Sequence, residues 1–283
     1  VRRRLAVEPF SRLAVWARRF ASFSVAAALL SIIILRSGLL EIVPALATFA
    51  GALMLAIVAV LLALAAFVVI WRQGLRGTGY AVSALGLGLL LLAYPVYFGI
   101  KAYRLPAVAD ITTDPLDPPR FEAIARLRTR EANPVQYAGL RAAELQRSAY
   151  PDIESLELLA SPQIAYQAAF AVMEKRRWRI VDARAPETGR REGRIEAVAR
   201  TPVMGFRDDV VLRVRTTPDG ARVDVRSASR YGYHDFGANA ARVSSLLQDI
   251  TDTVDVMLEK ENKKEKKPEL VKGAQAPAKS TRR

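Results

Sequence analysis

Cysteine is absent and histidine occurs once, at His234, in a chain of 283 residues. The first absence excludes disulfides, cysteine zinc sites and thiol catalysis, and the second excludes a metal centre built from several imidazoles. No glycine-rich phosphate loop, Gly-x-Ser-x-Gly elbow or metal-ligand spacing occurs, so the residues imply no cofactor and no metal. Acids are nearly missing from the first hundred positions, which carry nine arginines against only Glu8 and Glu41.

The chain is 51% hydrophobic and 25% charged, with a net charge of +14 and a mean hydropathy of +0.11. Such an average conceals two unlike halves. Residues 110–258 hold 22 basic and 22 acidic side chains and are neutral, whereas residues 259–283 hold nine basic against four acidic. A nucleic-acid interface needs its cations gathered on a folded face, and the neutral stretch offers no net charge for one. The excess belongs to membrane flanks and a tail.

Three apolar runs follow a basic N-terminus at 1–19. They cover about 20–40, 44–70 and 80–100, with Arg36 snorkelling at the end of the first and Pro95 kinking or ending the third. Each is long enough to cross roughly 30 Å of hydrocarbon as a helix, the only open-chain form that satisfies its own backbone there. The small-x-small triplet Ala45-Leu46-Ala47 has the form of a signal-peptidase site, but Arg36 and Glu41 precede it and the next run begins on top of it. None of the runs contains an internal Asp, Glu, Lys or His, which argues against an ion or proton pathway. Gly86 and Gly88, with Ser83, suit close packing of the third helix.

Arg2, Arg3, Arg4, Arg12, Arg18 and Arg19 precede the first run, and Arg72 and Arg76 lie between the second and third. The positive-inside rule therefore predicts a cytoplasmic N-terminus and everything after residue 100 outside, which for a protein of a Gram-negative bacterial inner membrane is the periplasm. Phe10, Leu13, Trp16 and Ala17, interleaved with arginines, read equally as an amphipathic turn on the inner leaflet or a plain charged flank.

Beyond the membrane region, prolines 115, 118 and 119 predict an extended linker arm over 101–120, and an α+β domain occupies 121–258. Weak helical signals lie around 121–130 and 136–147. Ser161-Pro162 is an N-cap with proline at the first helical position, opening a helix to Lys175 with Ile164, Ala168, Ala169, Val172 and Met173 on one face. Strands follow at 178–182, 194–201, 209–216 and 221–229, the last pair joined by Thr217-Pro-Asp-Gly220. Alternation turns Val210, Leu212, Val214, Val223 and Val225 to the core. It turns Arg213, Arg215, Arg222, Asp224 and Arg226 to a solvent face. A final amphipathic helix over 237–258, capped by Asp235, points Ala241, Leu247, Ile250, Val254 and Met257 inward. Composition predicts a disordered basic tail at 259–283. The fold class is three transmembrane helices followed by an α+β domain with a small, mainly antiparallel sheet and two principal helices.

Asp110-Ile-Thr-Thr-Asp-Pro-x-Asp-Pro-Pro119, Arg194-Ile-Glu-Ala, Gly205-Phe-Arg-Asp-Asp-Val-Val, Val223-Asp-Val-Arg-Ser-Ala-Ser-Arg230 and Gly237-Ala-Asn-Ala-Ala-Arg242 occur in that order. In these strings the chain resembles a bacterial domain-of-unknown-function family, the one numbered 1499. The resemblance implies membrane anchoring and brings no established activity or catalytic residue. Val203-Met204 and the stretch 231–236 depart from the family pattern, which leaves His234 without an inherited role.

The hairpin and the following turn gather Arg226, Ser227, Ser229, Arg230, Asn239 and Arg242, a residue set suited to a phosphate or carboxylate at a helix start, or to an internal network. Asp208, Asp209, His234 and Asp235 are weaker candidates. The two adjacent aspartates point to opposite faces of a strand and cannot share a proton. The reading that follows is a non-catalytic protein of the cell envelope, embedded in the lipid bilayer. Its domain binds a partner protein, lipid headgroup or cell-wall fragment. The alternatives are an envelope hydrolase using the Ser227 to Asp235 region and a structural scaffold with no ligand.

Overall fold

The computed structural model describes residues 8–38, 41–187 and 192–272, with side chains described to residue 263. Two compact units are present: residues 1–105 with 201–206, and residues 106–200 with 207–283.

The first unit is built on three helices, α1 (Arg12–Ser37), α2 (Ile42–Gln73) and α3 (Thr78–Arg104), each long and apolar enough to cross a membrane. They start earlier or run further than hydropathy alone suggested. Ser11 caps α1 by accepting the Ala14 N–H, so the arginine-rich stretch is already helical, and α3 continues through Pro95 to Arg104. Residues 45–47 lie inside α2.

The bundle is sealed by small side chains. Ala14, Ala17, Ala21, Ser24, Ala28 and Ser31 are buried on α1, and Ala45, Phe49, Ala52, Ala56, Ala59, Ala63 and Ala66 on α2, in alternating steps of three and four. This is a heptad seam in which almost every inward residue is alanine or serine, so the backbones approach closely without a hydrophobic driving force. Gly88 of α3 joins it, since a Cβ there would sit 2.5 Å from Val60 Cγ2, whereas Gly86 faces open space.

At one end of the bundle the Ser11 N–H donates to the Arg76 carbonyl (2.9 Å) and the Arg76 N–H to the Pro9 carbonyl (3.0 Å). Arg18 lies over the Tyr80 ring and Arg76 over Phe10 there. Residues 201–206 belong to this unit. Met204 is buried with Ala28, Phe49 and Ala52, and Arg36 Nη1 donates to the carbonyls of Pro202 (2.7 Å) and Val203 (3.1 Å), so Arg36 ends on peptide oxygens.

The second unit is an antiparallel sheet of six strands: β1 (Asp110–Thr112), β2 (Leu156–Leu158), β3 (Arg179–Arg184), β4 (Glu192–Arg200), β5 (Arg207–Thr217) and β6 (Gly220–Ser229). The order is β1-β6-β5-β4-β3, with β2 sharing the β6 edge with β1. One face carries Ile195, Ala197, Val210, Leu212, Val214, Val223 and Val225. It packs under α5 (Pro162–Lys175) and α6 (Ala238–Lys272). Ser161 caps α5 by accepting the Ile164 N–H (3.2 Å), and Asp235 caps α6 by accepting the N–H groups of Gly237 and Asn239. The inward residues of α6 are Ala240, Val243, Leu246, Ile250 and Val254, with Leu247 and Met257 at the margin. Ala241 is exposed, one position out of phase with the expectation.

Three further expectations are corrected. The 101–120 segment is no free linker: α3 takes its first residues, β1 joins the sheet, and Thr113 and Asp114 are buried. The weak helical signals resolve into a 3-10 turn at Ile124–Leu127 and a short α4 (Leu140–Ala149). The backbone of 259–272 is helical, because lysine and glutamate favour helix and pair at four-residue spacing, as Glu259 and Lys263 do (3.7 Å). Residues 273–283 lie outside the described residues.

Candidate functional site

The second face of the sheet is the charged one, and it is buried. Alternation assigned its residues correctly, but residues 113–135 cover them, so Arg213, Asp224, Arg226 and Arg230 are each at most 5% exposed. The covering arm supplies the counter-charges. Asp224, at the centre, accepts from Ser155 Oγ (2.6 Å), Arg213 (3.0 Å), Arg215 (2.8 Å) and Arg222 (3.0 Å). Asp114 accepts from the same three arginines, and Asp117 from Arg213 and Arg215. Burial raises the Asp224 pKa, but Ser155, Arg213 and Arg222 outweigh it and hold the carboxyl below its ordinary value.

Arg226 makes a bidentate pair with Asp110 (2.9 and 2.7 Å), donates to the carbonyls of Pro119 and Val135, and lies between the Phe121 and Tyr137 rings. The buried Tyr137 phenol is pushed up to about 12, by burial and Asp110 against the opposing Arg226. Arg230 and Arg128 close on Asp209 (2.9 and 2.7 Å). The fully buried Glu196 accepts three backbone N–H groups, from Glu122, Ala123 and Ile124, which fixes the start of the 3-10 turn.

The helix-covered face holds the remaining candidates. Ser227 Oγ donates to Asn239 Oδ1 (2.7 Å) and accepts from Arg242 Nη1 (2.9 Å), while Asn239 Nδ2 donates to Ser229 Oγ (2.9 Å). Arg242 Nη2 pairs with Asp208, whose pKa burial raises despite that arginine and the Ser229 hydroxyl. His234 Nδ1 accepts the Phe236 N–H (2.9 Å) and its ring stacks on Phe236. Asp235 is spent on the helix cap. The structure therefore divides the sequence-predicted set: Ser227, Ser229, Asn239, Arg242 and Asp208 meet on one face, Arg226, Arg230 and Asp209 on the other. Every arginine among them is bound to a carboxylate.

A cavity of about 480 Å³ lies elsewhere, beside the edge where β1 and β2 meet β6. Its lining includes Gln146, Arg147 and Tyr150 at the end of α4, Glu154, Ser155 and Glu157 on the way into β2, and Arg222. Gln146 is held by a two-way bond with the Thr112 backbone, its Oε1 accepting the N–H (3.0 Å) and its Nε2 donating to the carbonyl (2.7 Å). A side-chain amide thus extends the sheet ladder and fixes this wall. Arg147, Glu154 and Glu157 are exposed at the mouth. Burial and the neighbouring Asp235 raise the pKa of the Tyr150 phenol.

Residues 110–250 match the family described as protein of unknown function (DUF1499). Over these 141 residues, just under half of the chain, the sequence is similar to that family. No curated protein and no solved structure matches the chain. The matched stretch begins at the arm acid Asp110 and ends at Ile250, a buried residue in the first half of α6, so the match includes the arm as well as the sheet. Among the described residues no group of three or more His, Asp or Glu side chains could hold a metal ion.

The cavity is not legible in the sequence because its residues come from three separated stretches whose meeting depends on the arm folding back. One signal was available. Asp110, Asp114 and Asp117 stand at spacings of four and three, opposite an alternating series of arginines at 213, 215, 222 and 226, and the opposite signs announce a lid on that face.

Proposed function

We propose that this membrane protein displays its DUF1499 domain in the periplasm as a non-catalytic binding module, with the cavity beside α4 as its ligand site. The carrying observation is the contrast in how charge is used. The arginines 226, 230 and 242 are committed to Asp110, Asp209 and Asp208, whereas Arg147 and Glu154 stand exposed around a cavity of about 480 Å³, with Glu157 held only loosely by Arg222 (3.8 Å). That volume is within the range of about 300–1,000 Å³ usual for small-molecule sites, and the mixed charges suit a small polar component, a headgroup or a wall fragment, better than a flat protein face. A hydrolytic role for the Ser227 to Asp235 region is the weaker reading. Both serine hydroxyls are engaged by Asn239, and Asp235 holds the start of α6.

A photo-crosslinking amino acid at Arg147 in the full chain tests the ligand site in cells. The expected result is a low-mass envelope adduct that disappears when Ala143→Trp fills the cavity. No adduct, or an adduct indifferent to the filling, overturns the proposal. The orientation rests on the arginines that gather where Pro9–Ser11 pairs with Arg76. A periplasm-only reporter enzyme should be active when fused after residue 283 and silent within residues 71–79.

A further inference from the structure

A second charged region of the α+β domain is independent of the cavity. The starts of β3 and β5 and the end of β4 lie at one end of the sheet, since Arg179 is opposite Val198 and Arg200 opposite Arg207. α5 ends there in Lys175, and the chain turns through Arg176, Arg177 and Trp178 into β3. Six cations, Lys175, Arg176, Arg177, Arg179, Arg200 and Arg207, therefore occupy a single rim. The nearby acids offset little of this. Asp249 binds Arg176 (2.6 Å), Asp208 and Asp209 are buried on Arg242, Arg128 and Arg230, and Glu174 is the remaining exposed carboxylate of the segment. Lys175, Arg177, Arg179 and Arg207 are exposed and none has a carboxylate within ion-pair distance among the described residues.

The rim also carries an amphipathic aromatic. Trp178 is half-buried under the Arg176 guanidinium, 5.3 Å from its ring. A tryptophan amid lysine and arginine is the composition that settles at a headgroup layer, where the ring is part apolar and the cations meet phosphate. Arg200 and Arg207 are also where the chain leaves the sheet for residues 201–206, which cluster with the membrane helices. Only residues 105–109 separate α3 from β1, a short covalent link that keeps the local concentration of bilayer surface high for the domain.

We propose that this rim, centred on Lys175, Arg177, Trp178, Arg179 and Arg207, binds the anionic phospholipid headgroups of the bilayer that anchors the protein. Each cation near an anionic leaflet strengthens attachment roughly fivefold, and salt screens the attraction.

The absence of cysteine makes a clean test possible. The full chain with Glu174→Cys carries a single fluorophore and is placed in nanodiscs of phosphatidylcholine, with or without about 30% phosphatidylglycerol, containing a headgroup quencher. Quenching should be about threefold stronger in the anionic discs and return to the neutral-disc level at about 0.5 M salt. It should also return to that level in K175Q/R177Q/R179Q/R207Q, while R177K/R179K/R207K retains it and the cavity-filling Ala143→Trp leaves it unchanged. Equal quenching in both discs overturns the proposal, as does anionic quenching that survives the glutamine variant. Protection of the fluorophore by a soluble polyanion without a lipid effect also overturns it. Should the glutamine variant fail to fold, the salt response and the lysine variant decide.

Discussion

The two faces of the one sheet bury comparable positions by opposite means. Under α5 and α6 the strands present Ile195, Leu212, Val214 and Val223, and the contact is apolar and non-directional. Under the arm they present Arg213, Asp224 and Arg226, and the cover is held by the pairs Arg213–Asp114 and Arg226–Asp110 beside a small apolar cluster of Phe121 and Ile124 on Val198, Val211 and Ala228. An apolar face accepts any well-shaped partner. A face with buried guanidinium groups also needs acids at the right spacing, and Asp110, Asp114 and Asp117 supply them. The arm therefore encloses one particular side of the sheet, and in doing so builds the cavity wall through Thr113 and Pro115.

The largest expected effect is on the charged side. Asp224→Ala leaves three guanidinium groups around an empty buried position and should destabilise the domain by about 3–5 kcal/mol, measured by denaturant unfolding in detergent. Leu212→Ala on the opposite face should cost about 3 kcal/mol by cavity formation, and parity of the two losses would show that the faces contribute alike. Glu196→Gln removes the carboxylate that accepts the three N–H groups of the 3-10 turn and should cost about 1–3 kcal/mol. Ser161→Ala removes the α5 cap for about 1 kcal/mol. Asp117→Asn should stay within about 0.5 kcal/mol, since Asp117 is 58% exposed and its ion pairs are screened by solvent.

Acid separates the faces further. The Asp224 carboxyl is held below its ordinary value, so its contribution is complete above about pH 3.9 and is lost as the pH falls through the lower folded value. Asp208 on the helix-covered face is raised by burial. The folded state favours its protonated form, and the stability tied to that form is lost as the pH rises through the folded value. Near pH 7, Asp208→Asn should therefore cost clearly less than Asp224→Asn. Equal costs would remove the distinction.

Much of this was legible beforehand. The Ser161-Pro162 helix start, the four long strands, their face assignment and the Asp235 cap follow from local patterns, because capping and alternation act within a few residues. The alanine seam at steps of three and four was also present in the sequence, hidden inside runs whose uniform hydropathy masks which small residue faces inward. The covering arm, the cavity and the division of the candidate arginines between two faces were not legible. The arm and the cavity depend on residues more than 60 positions apart, as in the pairs Asp114–Arg213 and Ser155–Asp224, and the arginine pairings on residues 21 to 116 apart. Proline content correctly excluded helix over 110–119 but says nothing about whether an extended segment is free or docked.

The sequence by itself determined three membrane-length helices, an α+β domain and the alternation of charge along its strands, since hydropathy, capping and side-chain period are local properties. Only the tertiary structure decided that the charged face is internal, that Arg226, Arg230 and Arg242 are already paired, and that open space lies beside α4. The physical reason is that burial turns a row of arginines from a solvated surface into an obligation. Guanidinium groups removed from water need carboxylates at hydrogen-bonding distance, and which distant segment provides them is fixed only when the chain closes on itself.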